Sequence, residues 1–173
     1  MTTPEGRDHP AALAGARLIA QCETTRTRRS GPGGQNRNKV ETAIVLVHRP
    51  TGLVAEASES RSQLENLHAA VFRLRVNLAL EVRCPVESGP FPSPLWRARL
   101  QAGQIRVNPE HDDFPTLLAE ALDVLDAHEF HLKPAAEVLL CTPSQLTKFL
   151  KNEPRALLRL NEGRRRLGLH PLQ

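Results

Sequence analysis

The 173-residue sequence predicts an α+β fold: a short antiparallel sheet with one packed helix, followed by an all-helical region. Three observations lead there. The β-branched run TAIVLVHR at Thr42–Arg49 ends in the turn tripeptide Pro50-Thr51-Gly52, where Pro presets one φ and Gly supplies a positive one. Leu64, Leu67, Val71, Leu74, Leu78 and Val82 recur at three- and four-residue spacing, the stripe of an amphipathic helix of about five turns. Beyond four prolines in Cys84–Pro94, the chain is punctuated by residues that start helices.

Taken in order, Arg17–Thr25 (RLIAQCETT) alternates loosely and is expected to be a strand. Thr42–Arg49 is the strongest strand, and Leu53–Ala57 reads as its hairpin partner. Ser62-Gln63-Leu64-Glu65 has the form of a capping box ahead of the helix. Arg61, Arg73 and Arg75 lie off its apolar stripe. Cys84–Pro94 reads as a linker, and Trp96–Val107 suits a short helix or an extra strand, with Trp96 expected to anchor the junction of the two halves. Helices are then expected at Thr116–His128, at Pro134–Leu140 with Pro at its first helical position, and from the cap Thr142 to about Lys151. Asn152 is expected to cap a last helix through Arg166, stopped by Gly168. Pro134–Lys151 has the outline of a helix-turn-helix, while the plainer reading is a helical bundle. The domains expected are 1–83, a Pro-rich linker at 84–95, and a helical region at 96–173.

Composition is globular, with 40% hydrophobic and 24% charged residues. No apolar run approaches the ~20 residues that span a bilayer, and Met1–Pro10, with Glu5 and Asp8, lacks the apolar stretch of a secretory signal. A cytoplasmic protein with no membrane partner is expected. Cys22, Cys84 and Cys141 are odd in number and form no CxxC pair, so they read as partly buried thiols rather than a disulfide or zinc framework. His128 and His131 lack a third well-spaced ligand, so no metal is expected.

The net charge of +4 is unevenly spread. Arg26, Arg28, Arg29, Arg37 and Lys39 fall in a stretch without an acidic residue. Val107–Leu132 has no Lys or Arg, and the chain turns basic again through Lys148, Lys151, Arg155, Arg159 and Arg164-Arg165-Arg166. Two basic ends separated by an acidic middle point to two contact surfaces for a polyanion.

Between the first two expected strands lies TRRSGPGGQNRNK, with three glycines in four residues at Gly31–Gly34. Such a backbone accepts close approach of a ligand, and the flanking cations suit phosphate. No aromatic residue is near enough for base stacking, and neither the P-loop nor the dinucleotide-binding glycine order is present.

Arg28-Arg29-Ser30-Gly31-Pro32-Gly33-Gly34-Gln35, then Asn38, a strand, Pro50-Thr51-Gly52, Ser60-Arg61-Ser62-Gln63 and Asn66 together resemble the catalytic GGQ domain of class I peptide chain release factors, particularly short ribosome-rescue relatives. The resemblance covers about residues 15–82. It departs at Asn36-Arg37, where many relatives have His and a small apolar residue, and at Val40-Glu41.

The resemblance implies a ribosome-dependent peptidyl-tRNA hydrolase without a cofactor. Gly33, Gly34 and Gln35 are then the catalytic residues, and the Gln35 backbone N–H stabilises the developing oxyanion or leaving ribose oxygen. Candidate RNA contacts are Arg26, Arg28, Arg29, Arg37, Asn38, Lys39 and Arg61 in this domain, with Lys148, Lys151, Arg164, Arg165 and Arg166 in the helical region. The implied partners are the large ribosomal subunit with its 23S-type rRNA, P-site peptidyl-tRNA, and a glutamine N5-methyltransferase acting on Gln35. Only about 15 residues precede the resemblance, so the expectation is codon-independent release from stalled ribosomes or split large subunits. Two alternatives stand beside it: a non-catalytic ribosome- or rRNA-binding factor, and a helix-turn-helix nucleic-acid-binding regulator.

Overall fold

A computed structural model describes residues 9–27, 42–86 and 92–172. They form two compact units, one of Leu13–Leu78 and one combining the described residues before Leu13 with those from Ala79 onward. The fold is α+β, as expected.

The first unit begins with α1 (Gly15–Ala20) and a three-stranded antiparallel sheet, β1 (Cys22–Thr27), β2 (Ala43–His48) and β3 (Val54–Ala57), in the order β1-β2-β3. Ile44, Leu46 and His48 are buried at alternate positions of β2, and Ala55 and Ala57 on β3, because successive strand side chains face opposite ways. The β2–β3 turn is the predicted tripeptide, with Gly52 at φ 71° and its N–H donating to His48 O at 2.7 Å. One expectation is corrected: Arg17–Ala20 is helical, so the strand starts only at Cys22. GARLIA contains a single β-branched residue, and Leu18 alone needs full burial, which one helical turn provides.

Helix α2 (Gln63–Glu81) follows. The Glu65 N–H donates to Ser62 Oγ at 3.3 Å, half of the predicted capping box. Its buried row is Asn66, Ala70, Leu74 and Leu78, rotated from the expected stripe, and Leu64 is 61% exposed. The rotation has a polar cause. Asn66, Arg73 and Asn77 reach main-chain carbonyls of Thr42, Glu56 and Val54 at 2.7, 2.7 and 2.9 Å, which turns those positions toward the sheet, and Ala70 lets the helix come close.

In the second unit, α3 (Pro94–Arg99) leads into a tight hairpin, β4 (Leu100–Gln101) and β5 (Gln104–Ile105). The ambiguous Trp96–Val107 segment is therefore helix, then hairpin. Its turn residues Ala102 and Gly103 both have positive φ, 49° and 72°, the combination that matches strand twist in two-residue hairpins. Then come α4 (Phe114–Ala127), α5 (Leu132–Val138), α6 (Pro143–Leu150) and α7 (Pro154–Arg166). α4 is buried almost throughout and packs on α5 and α7, while α6 packs on α5, α7 and β5. Thr142 caps α6 as predicted, its Oγ1 accepting from the Gln145 N–H at 3.2 Å. The cap of α7 is Glu153 rather than Asn152, because Glu153 accepts from the Arg155 N–H and pairs with its guanidinium. Gly168 (φ 72°) ends α7, with Gly168 and Leu169 N–H groups returning to Arg165 and Arg164 carbonyls.

Trp96 is fully buried in this unit, donating to Leu139 O at 2.8 Å and meeting Phe149 edge-on at 5.5 Å. Gly163 is buried against Phe130, whose ring carbons lie 2.5 Å from where a Cβ would be. Among the described residues no helix is long and apolar enough to cross a membrane.

Two stability outcomes follow. Asn66→Ala orphans the part-buried Thr42 and Ser60 groups, a cost of about 3 kcal/mol, so hydrogen exchange at β2 amides should quicken by about two decades. Gly163→Ala should lower the melting temperature through overpacking of about 1–3 kcal/mol, and adding Phe130→Ala should relieve the clash.

Candidate functional site

β1 and β2 pair from Cys22↔His48 to Thr27↔Ala43. The GGQ connection therefore leaves the sheet at the Thr27/Ala43 end, while Pro50-Thr51-Gly52 closes the other end of β2. Gly33, Gly34 and Gln35, with Arg28, Arg29, Arg37, Asn38 and Lys39, belong to this connection and lie outside the described residues. Its frame is described in full.

The exit of the connection is held by Asn66. This side chain is 1% exposed; its Nδ2 donates to Thr42 O at 2.7 Å and Ser60 O at 2.9 Å, and its Oδ1 accepts the Ser60 N–H at 2.9 Å. Ser60 Oγ accepts the Ser62 N–H at 2.9 Å and donates to Glu65. The motif Ser60-Arg61-Ser62-Gln63…Asn66 is thus a corner joining the first residue after the connection to the start of α2. Arg61 is exposed at this corner, and Arg26 is exposed on β1 opposite Ile44.

At the opposite end, His48 is 2% exposed. Its Nε2 donates to Gln21 Oε1 at 3.0 Å and its Nδ1 accepts from Thr51 Oγ1 at 2.8 Å, the assignment that satisfies both partners with a neutral ring. Burial pushes its pKa below the usual 6.5.

The helical-region candidates divide. Lys148 and Lys151 are exposed on and just after α6. Arg164 is spent internally, donating to Phe130 O and His170 O at 2.8 Å each. Arg166 lines a hollow of about 250 Å³ with Glu81, Asp126 and Glu162, while Arg165 is exposed. Arg155 is paired with Glu153 at 2.8 Å. Sequence reasoning missed Arg106, which the hairpin turn brings beside α6 in a cleft that Lys148 also lines. The signal available was the WRARLQAGQIR stretch, whose arginines flank an AG turn.

Among the described residues His9, Cys84 and Asp123 could offer three metal ligands within 4.8 Å of one another. The His9 and Asp123 donor atoms already have partners. His9 Nδ1 accepts the Ala11 N–H at 3.0 Å and Nε2 faces Val82 O at 3.2 Å, while Asp123 Oδ1 accepts from the Cys84 N–H and Arg83 at 3.1 Å each. The cluster therefore serves as a buried hydrogen-bond network. None of the three cysteines is in a disulfide, and burial raises the Cys141 thiol pKa to about 11.

Comparison with known proteins assigns this frame. Residues 19–87 match the RF-1 domain. The segment is an RF-1 domain of the class I release-factor catalytic type. The chain is 52% identical over 52 residues to a chloroplast peptide chain release factor of Arabidopsis thaliana, covering 30% of this chain and 11% of that protein. It is 51% identical over 51 residues to peptide chain release factor 1 of Chlorobaculum tepidum, and 45% over 51 to a mitochondrial release factor 1-like protein of Rattus norvegicus, each match covering 30% of this chain and 14% of the relative. The chain thus spans about an eighth of the length of these relatives. No solved structure is significantly similar to it. The RF-1 domain and its relatives support a release-factor-like role.

For the RF-1 domain, the His48 pair carries a pH prediction. Its folded pKa lies below the unfolded one, so the unfolded chain binds more protons in the interval between them. The stability contribution is complete above about pH 6.5 and is lost as pH falls through the folded pKa. Denaturant titrations between pH 7.5 and 5 should show this loss, and His48→Gln should flatten it.

Proposed function

We propose that this chain hydrolyses the peptidyl-tRNA ester on the ribosome, without reading a codon, in rescue of stalled ribosomes or split large subunits. The observation that carries this is the placement of Ser30-Gly31-Pro32-Gly33-Gly34-Gln35 between β1 and β2 of an RF-1 domain, with the Thr27↔Ala43 pair closing its base and Asn66 holding Thr42.

In the reaction, a water oxygen bonds to the ester carbonyl carbon. The bond from that carbon to the ribose oxygen breaks, and that oxygen leaves as a hydroxyl after taking a proton. The Gln35 N–H supplies a fixed dipole to the oxygen that gains charge. Its side chain admits water and rejects larger nucleophiles, while Gly33 and Gly34 allow close approach to ribosomal RNA. Catalysis then belongs to the domain expected at 1–83, and RNA docking to Arg26, Arg61, the cations of the connection, and the helical region expected at 96–173. The proposed setting is the cytoplasm, with the large subunit, its 23S-type rRNA and P-site peptidyl-tRNA as partners, and a glutamine N5-methyltransferase as modifier of Gln35.

The test is peptide release from purified ribosomes holding P-site peptidyl-tRNA, with and without an A-site codon, beside isolated large subunits. Gly34→Ala and Gln35→Pro, the latter removing the N–H, should each slow release by about 10²–10³-fold. Release that ignores these changes would overturn the GGQ assignment, and release only with a stop codon would overturn codon independence. Binding without release in any state would favour a non-catalytic ribosome-binding factor.

A further inference from the structure

The cleft beside α6 is built unlike the other basic parts of the helical unit. The β4–β5 hairpin and the residues after it form one wall, α6 the other, enclosing about 690 Å³. Cations come from both walls: Arg99 and Arg106 from the hairpin side, Lys148 from α6. Gln104, Asn108, Gln145 and Asn152 add four amides, and no carboxylate lines the cleft. Gln145 and Lys148, three residues apart, share one side of α6, and Asn152 joins them from the turn just past its end.

The cations are unequal. Arg99 is oriented by Asp113, with Nε 2.9 Å from Oδ2, and by His111 at 3.1 Å. Arg106 and Lys148 are exposed, and among the described residues neither meets a carboxylate. Across the unit, by contrast, Arg159 pairs with Glu81 and Glu162, Arg155 with Glu153, and Arg83 with Asp123. Carboxylates thus pair four of the unit's arginines, Arg83, Arg99, Arg155 and Arg159, while Arg106 and Lys148 line one amide-lined cleft without such a partner.

That chemistry selects a ligand. Facing unpaired cations attract phosphates, and amides both donate to phosphate oxygens and accept from hydroxyls. Of the two rings in the lining, Phe149 is 2% exposed and the His111 imidazole is engaged by Arg99 at 3.1 Å, so the polar groups dominate what the cleft offers. A sugar–phosphate strand with 2′-hydroxyls meets these requirements, since it supplies anions, donors and acceptors in series. We propose that the α6–hairpin cleft is the ribosomal-RNA docking site of the helical unit, with Arg106 and Lys148 contacting successive phosphates and Gln145, Asn108 and Asn152 the sugar edges between them. This rests on the proposed ribosomal function but names a different surface from the basic end of α7.

Binding of the full chain to purified large subunits and to naked 23S-type rRNA tests it, read by sedimentation across a salt series. Arg106→Glu/Lys148→Glu should weaken binding at least ~10-fold and lower the slope of log K against log salt by about 1.5, the share of two phosphate contacts. Gln145→Ala/Asn152→Ala, which removes no charge, should weaken binding with the slope kept. The charge-matched control Arg17→Glu/Lys133→Glu, at exposed positions outside the cleft, should bind nearly as the parent. Circular dichroism confirms that each variant is folded.

Equal losses in control and cleft variants would overturn the proposal in favour of diffuse electrostatics. Equal affinity of the parent for duplex DNA would overturn the RNA assignment, and absence of any binding would overturn the site. None of these readouts requires peptide release, so failure of the catalytic proposal is seen separately, as a parent chain that binds large subunits yet releases nothing.

Discussion

An amide removed from water must recover its hydrogen bonds inside the protein, and Asn66 recovers three at one corner of the RF-1 domain. Their partners are far apart in sequence: Thr42 at the end of the GGQ connection, and Ser60 ahead of α2. Once these bonds are made, the helix is set in rotation and the connection enters β2 at a defined place. The rotation in turn selects Ala70, Leu74 and Leu78 for burial and leaves Leu64 in solvent. This set of polar contacts, from Asn66, Arg73 and Asn77, thereby takes Leu64 out of the expected stripe, while Leu74 and Leu78 stay buried on it. It does so because leaving a buried carbonyl orphaned costs about as much as burying another leucine gains.

The helical unit uses the same device on α4, whose buried carboxylates bind main-chain groups of residues near the linker. Glu120 accepts from Ser93 N–H and Oγ at 2.7 and 2.5 Å, and Asp123 from the Cys84 N–H and Arg83. Ser93 in turn caps α3, its Oγ accepting from the Trp96 N–H at 3.1 Å, which seats the indole against Leu139 and Phe149. Much of the acidity of the Val107–Leu132 stretch is thus structural. Glu110, Asp112, Asp126 and Glu129 of the stretch are exposed, whereas Glu120 and Asp123 are buried.

Charge that remains after internal pairing is what a partner meets. The arginines of α7 look equivalent in sequence, yet Arg164 serves two carbonyls and Arg166 faces a carboxylate-rich hollow. Arg106 drew no notice in the sequence and stands unneutralised opposite Lys148. A count of basic residues therefore overstates one end of the helical unit and misses another.

The sequence by itself determined the local features. The β2–β3 hairpin, the Thr142 cap, the Gly168 stop and the release-factor likeness of the GGQ stretch were all legible, because turn chemistry, capping and motif order depend on residues a few positions apart. Tertiary structure decided the rest. It made Arg17–Ala20 helical, turned α2 about its axis, and sorted paired from unpaired arginines. Each of these outcomes depends on a partner brought in from another part of the chain or on a burial demand that propensity does not register, and spacing along one segment carries no record of either.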